Sequence, residues 1–163
     1  LMESLDLPPV VICGHSLGGM VAMEIARRPS KVAGLVLLEG WTSLASASAF
    51  RGPRFYGSLG PAAVAMIQDK AQMTRARFEP SIWHGFWKSV EELDASVFLR
   101  STRIPVTEVY GSIGRWEGTV PGLRVPANPG IEWAWIEGAG HYLPHERPAE
   151  VAGLCERSLR KAG

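Results

Sequence analysis

Residues 11–19 read Val-Ile-Cys-Gly-His-Ser-Leu-Gly-Gly, and the reading of this stretch decides the fold. An apolar run, Val10 to Cys13, ends in Gly14-His15-Ser16-Leu17-Gly18, and a helix-like segment follows. A short continuous apolar run suits a strand covered on both faces. G-x-S-x-G between a strand and a helix is a nucleophile elbow, a turn so tight that small residues must flank the serine. Gly14 and Gly18 supply them, and Gly19 lets the following helix pack close. The turn holds the serine hydroxyl exposed at the strand's carboxyl end. The Leu17 amide, at the helix start, points to where an oxyanion would form.

Upstream, Leu1 to Leu7 reads as the last turns of a helix, ended by Pro8-Pro9. Downstream, Leu17 to Arg28 reads as a helix made apolar by Met20, Val21, Met23 and Ile25. Arg27 and Arg28 suit its C-terminal dipole, and Pro29 stops it. Val32 to Leu38 is a second buried strand, so strand, helix and strand make a βαβ unit with parallel strands. Residues 42–58 are rich in Ser, Ala, Gly and Arg and read as a loop. Pro61 to about Phe78 reads as a helix with proline in its first turn. Residues 81–88 form a short aromatic segment, and Ser89-Val90-Glu91-Glu92 matches a capping box opening a helix to about Arg100. Together, residues 42–100 read as a helical cap insertion. The sheet resumes at Ile104 to Gly111, a Gly- and Pro-rich loop fills 112–130, and Ile131 to Ile136 is the last strand. Gly138-Ala139-Gly140-His141 turns at its carboxyl end, and Pro148 to Ala162 is a closing helix.

The elbow, the strand Ile-Pro-Val-x-x-Val-Tyr-Gly at 104–111 and the segment Gly-Ala-Gly-His-Tyr-Leu-Pro-His-Glu-Arg-Pro at 138–148 occur in this order. In these motifs the chain resembles the α/β-hydrolase family, and the likeness spans nearly all of it. The resemblance implies a partial α/β-hydrolase fold over residues 1–163, about four parallel strands with flanking helices and the 42–100 cap. It implies that these are the last four of the family's eight strands. The strands before them, and the His-Gly loop that usually gives a second oxyanion amide, are expected to fall outside this sequence.

Ser16 is the candidate nucleophile, because a serine hydroxyl needs only a neighbouring base to become reactive. His141 is the candidate base, since it follows a strand and a Gly-Ala-Gly turn on the same sheet edge as Ser16. The acid is the difficult member. The family usually carries an aspartate shortly after the penultimate strand, but here that stretch reads Gly111-Ser112-Ile113-Gly114. Some members carry the acid after the strand that follows the elbow helix, and Glu39 stands there. A carboxylate at that strand end can still fix the imidazole tautomer. Glu117, on the loop, is the alternative. Glu108, a carboxylate inside an apolar strand, is expected to pair with an arginine or lie at an exposed edge. His15, Trp41, Trp83 and Trp87 are candidates to line a substrate pocket, the last two from an aromatic cap cluster around His84.

Hydrophobic residues make up 46% of the 163, charged residues 20%, and the net charge is +1. No basic stripe favours nucleic acid, and no apolar run reaches the ~20 residues of a membrane span. The four histidines and two cysteines lack metal-ligand spacing, and no cofactor fingerprint occurs, so neither metal nor cofactor is expected. Cys13 and Cys155 read as small buried hydrophobes, not a disulfide framework, which favours a reducing, cytoplasmic location. The resemblance implies a serine hydrolase acting on carboxylic esters or related acyl substrates, small and apolar, through Ser16, His141 and Glu39. The alternative is a catalytically silent fragment, or one part of a hydrolase completed by an N-terminal half or partner chain. The elbow strand would then present an open edge, inviting a homodimer or a complementary chain.

Overall fold

In the computed structural model, residues 4–28 and 31–162 are described; the side chains of Pro53 and Glu117 lie outside that description. Four strands, β1 (Val10–His15), β2 (Val32–Leu38), β3 (Val106–Gly111) and β4 (Ile131–Ile136), pair in that order. All three pairings are parallel. Helices α1 (Leu17–Arg27), α2 (Pro61–Ala76), α3 (Pro80–Glu91) and α4 (Ser96–Ser101) lie in the connections, and α5 (Leu143–Glu146) and α6 (Pro148–Ala162) follow β4. Residues 4–6 form a turn, not helix; Pro29, expected to stop α1, is outside the described residues.

The continuous apolar runs are explained by helices on both faces of the sheet. Leu35 and Leu37 of β2 join Ala22, Met23 and Ala26 of α1 and Leu99 of α4 in one core. Val36 and Leu38 point the other way and join Val109, Ile136 and Val151 and Leu154 of α6. The alternation of β2 side chains thus feeds two cores. This layering places the carboxyl ends of all four strands along one edge, where loops converge.

Several local expectations change. Ser89 does not open a helix: it lies in the last turn of α3, and its hydroxyl donates to the Phe86 carbonyl at 2.6 Å. The next helix starts at Ser96, whose amide donates to Asp94 Oδ1 at 2.8 Å. The aromatic segment is itself helical, and Phe78, Trp83, Phe86 and Trp87 form one ring cluster. Residues 44–50 and 52–54 form 3-10 turns, and Phe50 is a buried core residue with Tyr110 and Leu123. The 112–130 loop likewise contains a 3-10 turn at 117–123. Cys13 is exposed, at the sheet's outer strand, rather than buried.

Glu108 neither meets an arginine nor reaches solvent. It is buried and accepts a hydrogen bond from the Tyr110 hydroxyl at 2.8 Å. Burial pushes its carboxyl up from 4.5 to about 8. A folded-state value above the unfolded one means that the folded chain binds the extra proton between these values. The stability this contributes is fully present below pH 4.5 and is lost as pH rises toward about 8. The slope is at most about 1.4 kcal/mol per pH unit. Glu108→Gln keeps the acceptor for Tyr110 and removes the ionisation. Urea titrations of the variant are expected to show a flatter decline in stability between pH 5 and pH 8 than wild type. Parallel curves would refute the assignment of a neutral Glu108.

Candidate active site

Ser16 stands one residue past β1, with its amide donating to the Leu38 carbonyl at 2.9 Å. Its φ of 56° and ψ of −123° are strained for a residue with a side chain, a cost of about 1–3 kcal/mol that surrounding structure must hold in place. The elbow glycines divide in role. A Cβ on Gly14 would strike the Gly18 backbone, and one on Gly19 would strike Gly40, whereas Gly18 has open space around it. Close approach therefore requires Gly14 and Gly19 but not Gly18. Leu17 opens α1, so its N–H has no acceptor within the helix and is free to face an oxyanion.

One strand over, Glu39 leaves β2 with φ 50° and its amide donating to the Val109 carbonyl at 2.8 Å. Its carboxylate is fully buried. Oε1 accepts the Gly111 amide at 2.7 Å and a bond from Arg115 Nη1. Oε2 accepts Arg115 Nη2 at 2.7 Å and lies 3.3 Å from His141 Nδ1. Burial opposes ionisation of Glu39, but the Arg115 and His141 hydrogen bonds outweigh it and hold the carboxyl below its usual range. Arg115 is itself buried, with its guanidinium 5.2 Å from the Phe50 ring centre and 5.1 Å from that of Tyr110. The two rings and the fork-shaped carboxylate contact fix it in place.

His141 completes the line, with Nε2 3.1 Å from Ser16 Oγ. Its ring stacks on Phe55 at 5.2 Å and 14°, and its amide donates to the Arg54 carbonyl at 2.8 Å. The loop around it is tied by Glu146, whose carboxylate accepts the amides of Ser58, Gly140 and Tyr142 at 2.7, 2.9 and 3.1 Å. Gly57 and Gly140 touch backbone to backbone, leaving no room for a Cβ on either. His15 lies behind this loop, with Nε2 2.7 Å from the His141 carbonyl. Burial, aided by the neighbouring His141 imidazole, pushes His15 down to about 4, so it is neutral at pH 7 and donates that bond from Nε2.

Ser16, His141 and Glu39 thus meet at the carboxyl edge of the sheet, beside the Leu17 amide. The remaining candidates are dispersed. Trp41 is half-buried, its amide donating to the Ser16 carbonyl at 3.4 Å and its ring 6.4 Å from Phe50. Trp83 and Trp87 line a cavity of about 540 Å³ between α2 and α3, whose lining includes none of Ser16, Glu39 and His141. The Glu117 side chain is outside the described residues. Sequence reading missed Arg115, Phe50 and Phe55. Arg115 follows directly on the vacant acid position at Gly114, and that adjacency was its one visible signal. Among the described residues, no cluster of His, Cys, Asp and Glu could hold a metal ion, and no helix is long and apolar enough to cross a membrane.

Solved structures share this architecture. Est816, described as an N-acyl homoserine lactone degrading enzyme, is 22% identical, with 96% of this chain and 70% of that one covered and a TM-score of 0.61. An alpha/beta hydrolase from the metagenome of lagoon sediments at Mar Chica, Morocco, is 17% identical, with 98% and 65% covered and a TM-score of 0.60. The esterase RhEst1 from Rhodococcus sp. ECU1013 is 16% identical, with 99% and 69% covered and a TM-score of 0.61. The chain therefore spans about two thirds of the length of these structures, and at such identities the likeness is one of fold. No curated protein matches the sequence. The sequence profile of the alpha/beta hydrolase family, by contrast, matches residues 1–154, nearly the whole chain, and by that match the chain belongs to the alpha/beta hydrolase family.

Proposed function

We propose that this chain carries the reacting groups of a serine hydrolase that cleaves carboxylic esters or related acyl substrates such as lactones. The observation that carries the reading is the continuous contact line from Ser16 Oγ to His141 Nε2 at 3.1 Å and from His141 Nδ1 to Glu39 Oε2 at 3.3 Å. Glu39 accepts the Nδ1–H of His141, which leaves Nε2 as the base. Ser16 Oγ attacks the acyl carbon as Nε2 takes its proton, and the Leu17 N–H meets the oxyanion. The intermediate collapses when His141 returns the proton to the leaving oxygen. Water then adds to the acyl-enzyme, His141 takes its proton, and Ser16 leaves with it. The Phe50 and Phe55 rings on His141 keep bulk water from the imidazole and suit an apolar substrate.

The test is labelling by a fluorophosphonate probe together with hydrolysis of p-nitrophenyl acetate. Wild type is expected to take up the probe and turn over the ester, and Ser16→Ala to do neither. Equal behaviour of the two proteins would sink the reading.

A second reading is favoured by one observation: β1, which delivers Ser16, pairs only with β2 and lies at the open edge of the described sheet. In that reading Ser16 reacts only when a further strand, from a second copy or a complementary chain, covers β1. Labelling would then rise with protein concentration in step with the dimer fraction measured by sedimentation velocity, or appear only with a co-expressed complement.

A further inference from the structure

Two cysteines that the reaction does not use face each other where α6 crosses β1. Cys13 stands two residues past Val11 on β1, so the two side chains leave the same face of the sheet. Val11 and Cys155 both pack against the apolar cluster that contains Val36, Leu38 and Leu154, and Val36 is the cross-strand partner of Cys13. The Cys155 thiol is the group that acts most strongly on the Cys13 thiol. Both are free, and Cys13 is exposed at the sheet edge.

We propose that Cys13 and Cys155 form a reversible dithiol site that closes to one intramolecular disulfide, stapling the strand that carries Ser16 to the helix that follows the His141 loop. The oxidant is a low-molecular-weight disulfide such as oxidised glutathione. Cys155, as thiolate, attacks one oxidant sulfur; a mixed disulfide forms and one small thiolate leaves. Cys13 then loses its proton and attacks the Cys155 sulfur, and the second small thiolate leaves. Two protein thiols are oxidised, and the small disulfide is reduced to two thiols once the leaving groups take up protons. Desolvation and the adjoining Cys155 thiol push Cys13 up to about 12 in the reduced pair; closure needs the Cys13 thiolate and quickens in alkali. Closure ties a long loop, and chain-entropy loss in the unfolded state is expected to raise the Tm on the order of 10 °C.

The test incubates the reduced chain with oxidised glutathione at pH 8.5 and measures mass, free thiols and Tm without reductant. The expected product is a monomer lighter by two hydrogen atoms, with no free thiol, a raised Tm, and full reversal by dithiothreitol. Cys155→Ser under the same conditions is expected to yield at most a glutathione adduct, with no rise in Tm. Two persistent thiols, separate adducts on both cysteines, or disulfide-linked dimers would overturn the proposal. None of these outcomes depends on whether Ser16 is a nucleophile.

Discussion

Glu39→Gln is expected to lower the turnover of p-nitrophenyl acetate about 10⁴-fold, the scale seen when the acid of a triad is replaced by its amide. The substitution preserves shape but reverses the hydrogen-bonding logic. The Glu39 carboxylate only accepts, so it selects the His141 tautomer that carries the proton on Nδ1 and leaves Nε2 facing Ser16 Oγ. A glutamine amide can donate to Nδ1, which puts the imidazole proton on Nε2 and removes the base. Glu117→Gln serves as the comparison and is expected to leave turnover within about twofold of wild type, because Glu39 already holds His141 Nδ1. An active Glu39→Gln beside an inactive Glu117→Gln would move the acid to the loop. Because Glu39 also neutralises Arg115, circular dichroism and Tm must show that the glutamine variant remains folded.

The legibility of this site in the sequence followed the range of the interactions involved. β2 was readable because seven apolar residues, Val32–Leu38, have one explanation, burial on both faces. The elbow was readable because its strain and the Gly14–Gly18 approach fall within five residues. Even there, the sequence pattern treats Gly14 and Gly18 alike, and only the packing separates them. Ser89-Val90-Glu91-Glu92 misled because a capping box is a local pattern, whereas the apolar spacing of Trp83, Trp87 and Val90 already carries a helix through Ser89. Beyond its place next to Gly114, Arg115 was illegible for a different reason. Its partner Glu39 lies 76 residues away, and no periodicity links an arginine in a Gly-rich loop to a carboxylate at a distant strand end. Only the fold brings the β2 end and the loop after β3 together.

Arg115→Met is expected to destabilise the fold by about 3–5 kcal/mol at pH 7, the usual result of removing one partner from a buried ion pair. The contact between Arg115 and Glu39 is almost wholly out of water, with 2% and 0% of the two side chains exposed. Methionine fills the space beside Phe50 and Tyr110 but leaves the Glu39 charge with only the Gly111 amide and His141. The pH dependence separates lost charge compensation from lost packing. In wild type the Glu39 carboxyl is held below its ordinary 4.5, so the stability it contributes is present above that pH and is lost as pH falls through the folded-state value. In the variant, protonating Glu39 relieves an uncompensated charge, so the deficit relative to wild type should narrow as pH falls from 7 toward 4. Arg115→Lys should fall between wild type and Arg115→Met, because an ammonium keeps the charge but neither grips both carboxylate oxygens nor lies flat against the rings. Adding Glu39→Gln to Arg115→Met should restore much of the stability while turnover stays abolished, since the buried charge is gone but the tautomer control is not recovered. Urea denaturation at pH 7 and pH 4.5 checks each arm. A deficit that stays the same at both pH values would mean that Arg115 acts by packing alone, and that Glu39 does not depend on it to remain ionised.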